Sequence, residues 1–133
     1  MKKSIAFLFL LTVIGCSKNT GTSKFVGTWR GNYSSTMIIT NPSVFDTGTL
    51  QITIDADHSA IGTLQSLHGG APTIMKGTVD ISSGVISMSK YAEGNYGIIV
   101  FLEGLNGNLS VDSGSGTLTF PWAAISSWQA TRN

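Results

Sequence analysis

From residue 26 to the C-terminus, apolar and polar residues alternate with the two-residue period of a half-buried β-strand. The clearest stretch is Leu50–Asp55. Leu50, Ile52 and Ile54 point to a core, and Gln51, Thr53 and Asp55 point to water. Asp57, His58 and Ser59 follow as a turn, and Ala60–Leu67 reads as the returning strand. Thr73–Ile81 and Val85–Tyr91 form a second pair around Ser82-Ser83-Gly84. Tyr96–Glu103 contains the unbroken run Ile98–Leu102, which predicts a strand covered on both faces. Leu109–Asp112 and Thr117–Phe120 flank a Ser113–Gly116 turn, and Ile125–Arg132 closes the chain. With a long first strand over Val26–Thr40, the pattern predicts eight or nine strands. Turn spacings of roughly 8–12 residues suit an all-β sandwich or barrel. No segment shows a 3.6-residue apolar period, although Pro121–Ile125 could form one helical turn.

Composition supports strands over helices. Gly, Ser and Thr supply 45 of the 118 residues that follow Gly15. After Gly15 there are six basic and seven acidic residues, too few and too scattered for the basic patch of a nucleic-acid binder. One cysteine and two histidines exclude an internal disulfide and a Cys/His zinc cage, so no cofactor and no metal are expected.

The first residues form a separate unit. Lys2 and Lys3 precede an apolar run, Ile5–Ile14, that is too short to span a bilayer and reads as a secretory signal peptide. Val13-Ile14-Gly15-Cys16 resembles a bacterial lipobox. The resemblance implies cleavage before Cys16, acylation of its thiol and new amine, and attachment to a membrane by several chains. Ser17–Lys24 has no apolar residue and reads as a flexible tether. Ser17 follows the cysteine where an Asp would resemble an inner-membrane retention signal. The resemblance therefore implies the outer membrane of a Gram-negative envelope. The chain divides into a signal peptide (1–15), a lipidated cysteine with its tether (16–24) and a β-barrel domain (25–133).

Phe25-Val26-Gly27-Thr28-Trp29 resembles the Gly-x-Trp motif that opens the first strand of lipocalins, and Trp128–Arg132 is similar to their closing strand. The resemblance implies an antiparallel up-and-down barrel of about eight strands. It also implies that Arg132 lies across Trp29 and closes one end, and that a small apolar ligand is held. A shorter likeness joins Gly27–Thr40 to the first strand of avidins, with Ser35 where that family has a serine on the biotin ureido oxygen. Gly31 replaces the asparagine expected there and the later aromatic lids are missing, so this likeness implies the opening strand of a barrel and not biotin binding.

Catalytic chemistry is sparse. Asp112–Gly116 contains serines without a nearby histidine, and Asp55-Ala56-Asp57-His58 reads as a turn with solvated groups. No catalytic residue is therefore assigned and the domain is expected to bind without catalysing. Phe45, Tyr91 and Tyr96 fall beside predicted loops and are the candidate ligand contacts. Two readings remain open. One is a carrier whose barrel holds a small apolar ligand. The other is a filled barrel acting on a protein partner through its loops, as an inhibitor would. Large inward residues such as Trp29, Leu50, Ile52, Ile54 and Phe101 favour filling, whereas Gly31, Gly62 and Gly77 could open space.

Overall fold

In a computed structural model, which describes residues 23–37, 44–92, 101–121 and 124–133, the alternating segments form one closed antiparallel barrel. Its strands are β1 (Gly27–Met37), β2 (Val44–Ile54), β3 (Ser59–Ser66), β4 (Thr73–Val79), β5 (Val85–Ala92), β6 (Gly104–Leu109), β7 (Ser113–Thr119) and β8 (Ala124–Arg132). Each pairs with the next, and β8 returns to β1 from Met37↔Ala124 to Trp29↔Arg132. Closure removes the exposed edges that a sheet with so few charges could not protect.

An interior of this size is filled by side chains or holds one small ligand. Here Trp29, Tyr33, Leu50, Ile52, Ile54, Leu64, Met75, Ile86 and Trp128 fill most of it, each no more than 2% exposed. The alternation expected for Leu50–Asp55 is borne out. Gly31, Gly62 and Gly77 open no space. A Cβ on Gly31 or Gly77 would lie 1.7 or 2.0 Å from a neighbouring carbonyl oxygen, and one on Gly62 would meet Met88 Cε at 3.1 Å. These glycines let strands or side chains approach.

The expected strand limits need correction in the second half. Phe101 begins no strand and is 48% exposed, while Leu102 behind it is buried, so the Ile98–Leu102 run is not a strand covered on both faces where it is described. Residues 93–100, which include Tyr96 and the first three residues of that run, lie outside the described residues. The expected Ser113–Gly116 turn is the first half of β7. Gly114 and Gly116 are its inward positions, and glycine carries no apolar signal. Their role is steric, since the Trp128 indole rests on the register pair Gly107↔Gly116 and donates from Nε1 to the Asn106 carbonyl at 3.0 Å. A Cβ on Gly116 would lie 2.7 Å from that nitrogen. The true turn is Ser110–Asp112, where Leu109–Asp112 predicted a strand. Residues 124 and 125, expected in a helical turn, open β8.

The two barrel ends differ. At one, Phe25 is buried against Trp29, whose Nε1 donates to the Phe25 carbonyl at 2.9 Å. Gly84, at φ +78°, leaves room for the Phe25 ring, which a Cβ there would meet at 2.9 Å. Arg132 donates to the Lys24 carbonyl and sits opposite Trp29 in the β1–β8 register. This end is plugged. At the other, the connections β1–β2, β3–β4, β5–β6 and β7–β8 leave the barrel. Phe45, residues 68–72 and Tyr91 lie towards this end, whereas residues 38–43 and 93–100 lie outside the described residues.

Candidate functional site

The inward row of β2 runs Ile54, Ile52, Leu50, Gly48 and then Asp46, a carboxylate only 1% exposed. A buried charge requires donors, and three converge on it. Tyr33 donates its hydroxyl to Oδ2 at 3.2 Å, and Ser66 donates Oγ–H to Oδ1 at 2.8 Å. His68 Nδ1 lies 3.1 Å from Oδ1, and donation there places a proton on Nδ1. The His68 backbone N–H also donates to Ser66 Oγ at 3.1 Å. Burial first, and then the neighbouring Asp46 charge and hydrogen bond, raise Tyr33 far above the usual phenol range, so its hydroxyl remains a donor. His68 alone of these groups reaches the surface, with 57% of its side chain exposed.

Serine, histidine and aspartate meet here without the geometry of an acyl-transfer relay. That relay needs one imidazole nitrogen on the serine and the other on the acid. Here the serine hydroxyl donates to the carboxylate itself, and a single ring nitrogen faces both, 3.4 Å from Ser66 Oγ. The cluster is suited to holding polar atoms in fixed positions.

Ser35 completes this layer. It faces Asp46 directly in the β1–β2 register and is fully buried, and its hydroxyl has no hydrogen-bond partner among the described residues. Thr73 on β4 is also fully buried at this end. At the same end Met37, on β1 two positions beyond Ser35, packs with Leu102, Phe120 and Ala124 on the core. The described residues of the loop-bearing end thus combine a buried polar layer with apolar side chains.

The aromatic residues singled out from the sequence do not line this interior. Phe45 has the outward parity on β2, next to inward Asp46, and is 55% exposed. Tyr91 projects from the outer wall of β5, where Lys76 Nζ stands 3.6 Å from its ring centroid. Tyr96 and Cys16 lie outside the described residues. The Asp55–His58 segment is a turn: His58 takes φ 66°, and Asp57 accepts from both the backbone N–H and the hydroxyl of Ser59. Among the described residues, no group of three or more His, Cys, Asp or Glu could hold a metal ion. The outer wall carries a shallow groove of about 680 Å3 beside Arg30, Asn32, Asn108 and Gln129. Its described lining contains no acid, and Arg30, its one cation, donates to Gln51 Oε1.

Sequence reasoning missed Tyr33, Asp46, Ser66 and His68 as a unit. One signal was available. Continuing the alternation of Leu50, Ile52 and Ile54 backwards places Asp46 on the core face. No family of known proteins matches the chain, and no curated protein does.

Proposed function

We propose that the chain is a lipid-anchored, non-catalytic binding protein of the bacterial envelope, and that the loop-bearing end of its barrel takes a small ligand. The observation that carries this reading is the mixture of buried polar and apolar side chains at that end, with the Ser35 hydroxyl unpaired among the described residues. Pockets for small molecules combine an apolar lining with a few fixed polar groups. A wholly apolar ligand deep in the barrel fits poorly, because Trp29, Trp128, Leu50 and Ile52 already occupy the middle.

Eight tether residues, Ser17–Lys24, reach at most about 29 Å, and they lead into the plugged end beside Phe25. An anchor at Cys16 therefore joins the membrane to the end opposite the loops, and the flexible tether leaves the loop-bearing end free to face the aqueous phase. The second reading, a filled barrel acting on a protein through its loops, draws on the packed middle and on exposed Phe45, Leu67 and Ile125 at the same end.

Native mass spectrometry of the protein recovered from its own envelope separates the two. A retained small molecule supports the binding reading; its absence, with no apolar dye bound, leaves the interaction reading. Cys16→Ala should abolish membrane retention and signal-peptide processing. Normal maturation and membrane binding of that variant would remove the anchor from the proposal.

A further inference from the structure

We propose that the groove on the outer wall is a second binding site, for a short acidic saccharide. One sugar carboxylate pairs with Arg30, and sugar hydroxyls bond the side-chain amides of Asn32, Asn108 and Gln129. This site is separate from the loop-bearing end and does not depend on the reading of that end.

Strand register builds the groove. Pairing of β1 with β8 and of β8 with β7 sets Arg30 beside Thr131 and Thr131 beside Ser113. Two residues along, the same pairing sets Asn32 beside Gln129 and Gln129 beside Ser115. Between these outward rows runs the inward row Gly31, Ala130 and Gly114. The outward side chains therefore stand as two walls over a floor of backbone. Asn108, opposite Ser115 on β6, extends the second wall. The enclosed space is about 680 Å3, inside the range of roughly 300–1,000 Å3 usual for small-molecule sites.

Arg30 sets the charge of the ligand. The described lining holds no acid, and no carboxylate among the described residues pairs with Arg30. Its Nε donates to Gln51 Oε1 at 3.2 Å. A neutral amide thus orients the guanidinium without neutralising it. The two terminal nitrogens keep their donors, in the planar fork that matches a carboxylate. One guanidinium balances one negative charge, which favours a carboxylate over a doubly charged phosphate.

The amides set the rest. Asn32, Asn108 and Gln129 are exposed, and their amides have no hydrogen-bond partner among the described residues. Each amide presents a donor and an acceptor side by side, the complement of neighbouring hydroxyls on a sugar ring. The described lining has no aromatic ring on which a nucleobase could stack. The barrel is closed, so β1, β7 and β8 have no free edge to take a peptide as an added strand. A hydroxyl-rich carboxylate matches what the groove offers.

The test uses three probes: digalacturonate, its uncharged dimethyl ester, and glutarate, which has two carboxylates and no hydroxyl. Each is titrated, with saturation-transfer NMR as the readout, into the full chain recovered from its envelope in a polyoxyethylene detergent. Digalacturonate should bind at least about tenfold more tightly than the ester or glutarate. Arg30→Gln should weaken it about tenfold, the factor equivalent to a hydrogen bond to a charged group, and Asn32→Ala and Gln129→Ala about fivefold each. Lys76→Gln, on β4 over the Tyr91 ring and outside the groove, should leave binding unchanged. All four positions are exposed, so the variants keep the barrel. Equal binding of acid and ester, or no effect of Arg30→Gln, overturns the carboxylate assignment. Glutarate binding as tightly as digalacturonate, or no effect of either amide variant, overturns the saccharide. Loss in Lys76→Gln equal to that in Arg30→Gln shows attraction by overall charge and overturns the site. Failure of all three probes to bind overturns the site as well, and leaves the reading of the loop-bearing end as it stands.

Discussion

Tyr33→Phe isolates the buried carboxylate's dependence on its donors. The substitution removes one oxygen and leaves the ring, which packs against Gly48 closely enough that a Cβ there would lie 2.5 Å from Tyr33 Cε1. No cavity of consequence forms, so the loss is the hydrogen bond from the phenol to Asp46 Oδ2 at 3.2 Å. A hydrogen bond to a charged group contributes about 1.5–3 kcal/mol, and the length of this one favours the lower half, about 1.5–2 kcal/mol. In a domain of this size that corresponds to a fall in Tm of roughly 5–10 °C. Urea unfolding at pH 7, followed by tryptophan fluorescence, measures it with an unchanged slope expected. The double-mutant cycle sharpens the test. Asp46→Asn should be less harmful, or even favourable, in the Tyr33→Phe background, because the amide removes a charge that has lost a donor. A Tyr33→Phe change below about 0.5 kcal/mol, or strict additivity with Asp46→Asn, would refute the account of a donor-dependent buried charge.

Gly116→Ala should destabilise by about 2–3 kcal/mol through overpacking, because its Cβ would lie 2.0 Å from the Asn106 carbonyl oxygen; Thr117→Ala, at the next and outward position, is the neutral control in the same unfolding assay. Arg132→Ala should lower stability by about 1 kcal/mol from its lost hydrogen bond to the Lys24 carbonyl and lost packing at the plugged end; an unfolding midpoint equal to wild type would show that this end closes without it. Asp80 is held down to about 2 by the Ser82 hydroxyl and by the Ser82 and Ser83 backbone N–H groups. Its contribution is therefore complete above the ordinary carboxylate range and is lost as pH falls from about 4 through about 2. Asp80→Asn should flatten the acid limb of the stability profile there, and an unaltered limb would assign acid sensitivity elsewhere.

Much of the barrel is legible in the order of residues. Period-two alternation in Leu50–Asp55, short turns at Asp57 and Ser82–Gly84, and a chain with too few charges to guard open edges together specify antiparallel strands that close. Alternation is a local property, so one strand is enough to display it. The second half of the chain was harder to read because its inward positions include Gly107, Gly114 and Gly116, which carry no apolar signal. Their meaning lies in Trp128, twelve or more residues away, whose indole fills the space they leave. The candidate site was illegible for the same reason at longer range. Tyr33, Asp46, Ser66 and His68 lie on two strands, a third strand's end and a loop, and each reads alone as an ordinary polar residue. Only closure and register set Ser35 opposite Asp46, bury both, and bring donors to one while the other has none among the described residues. Hydrogen-bond satisfaction is a property of groups meeting in three dimensions, so the tertiary structure alone decided which buried polar side chain has no partner among the described residues.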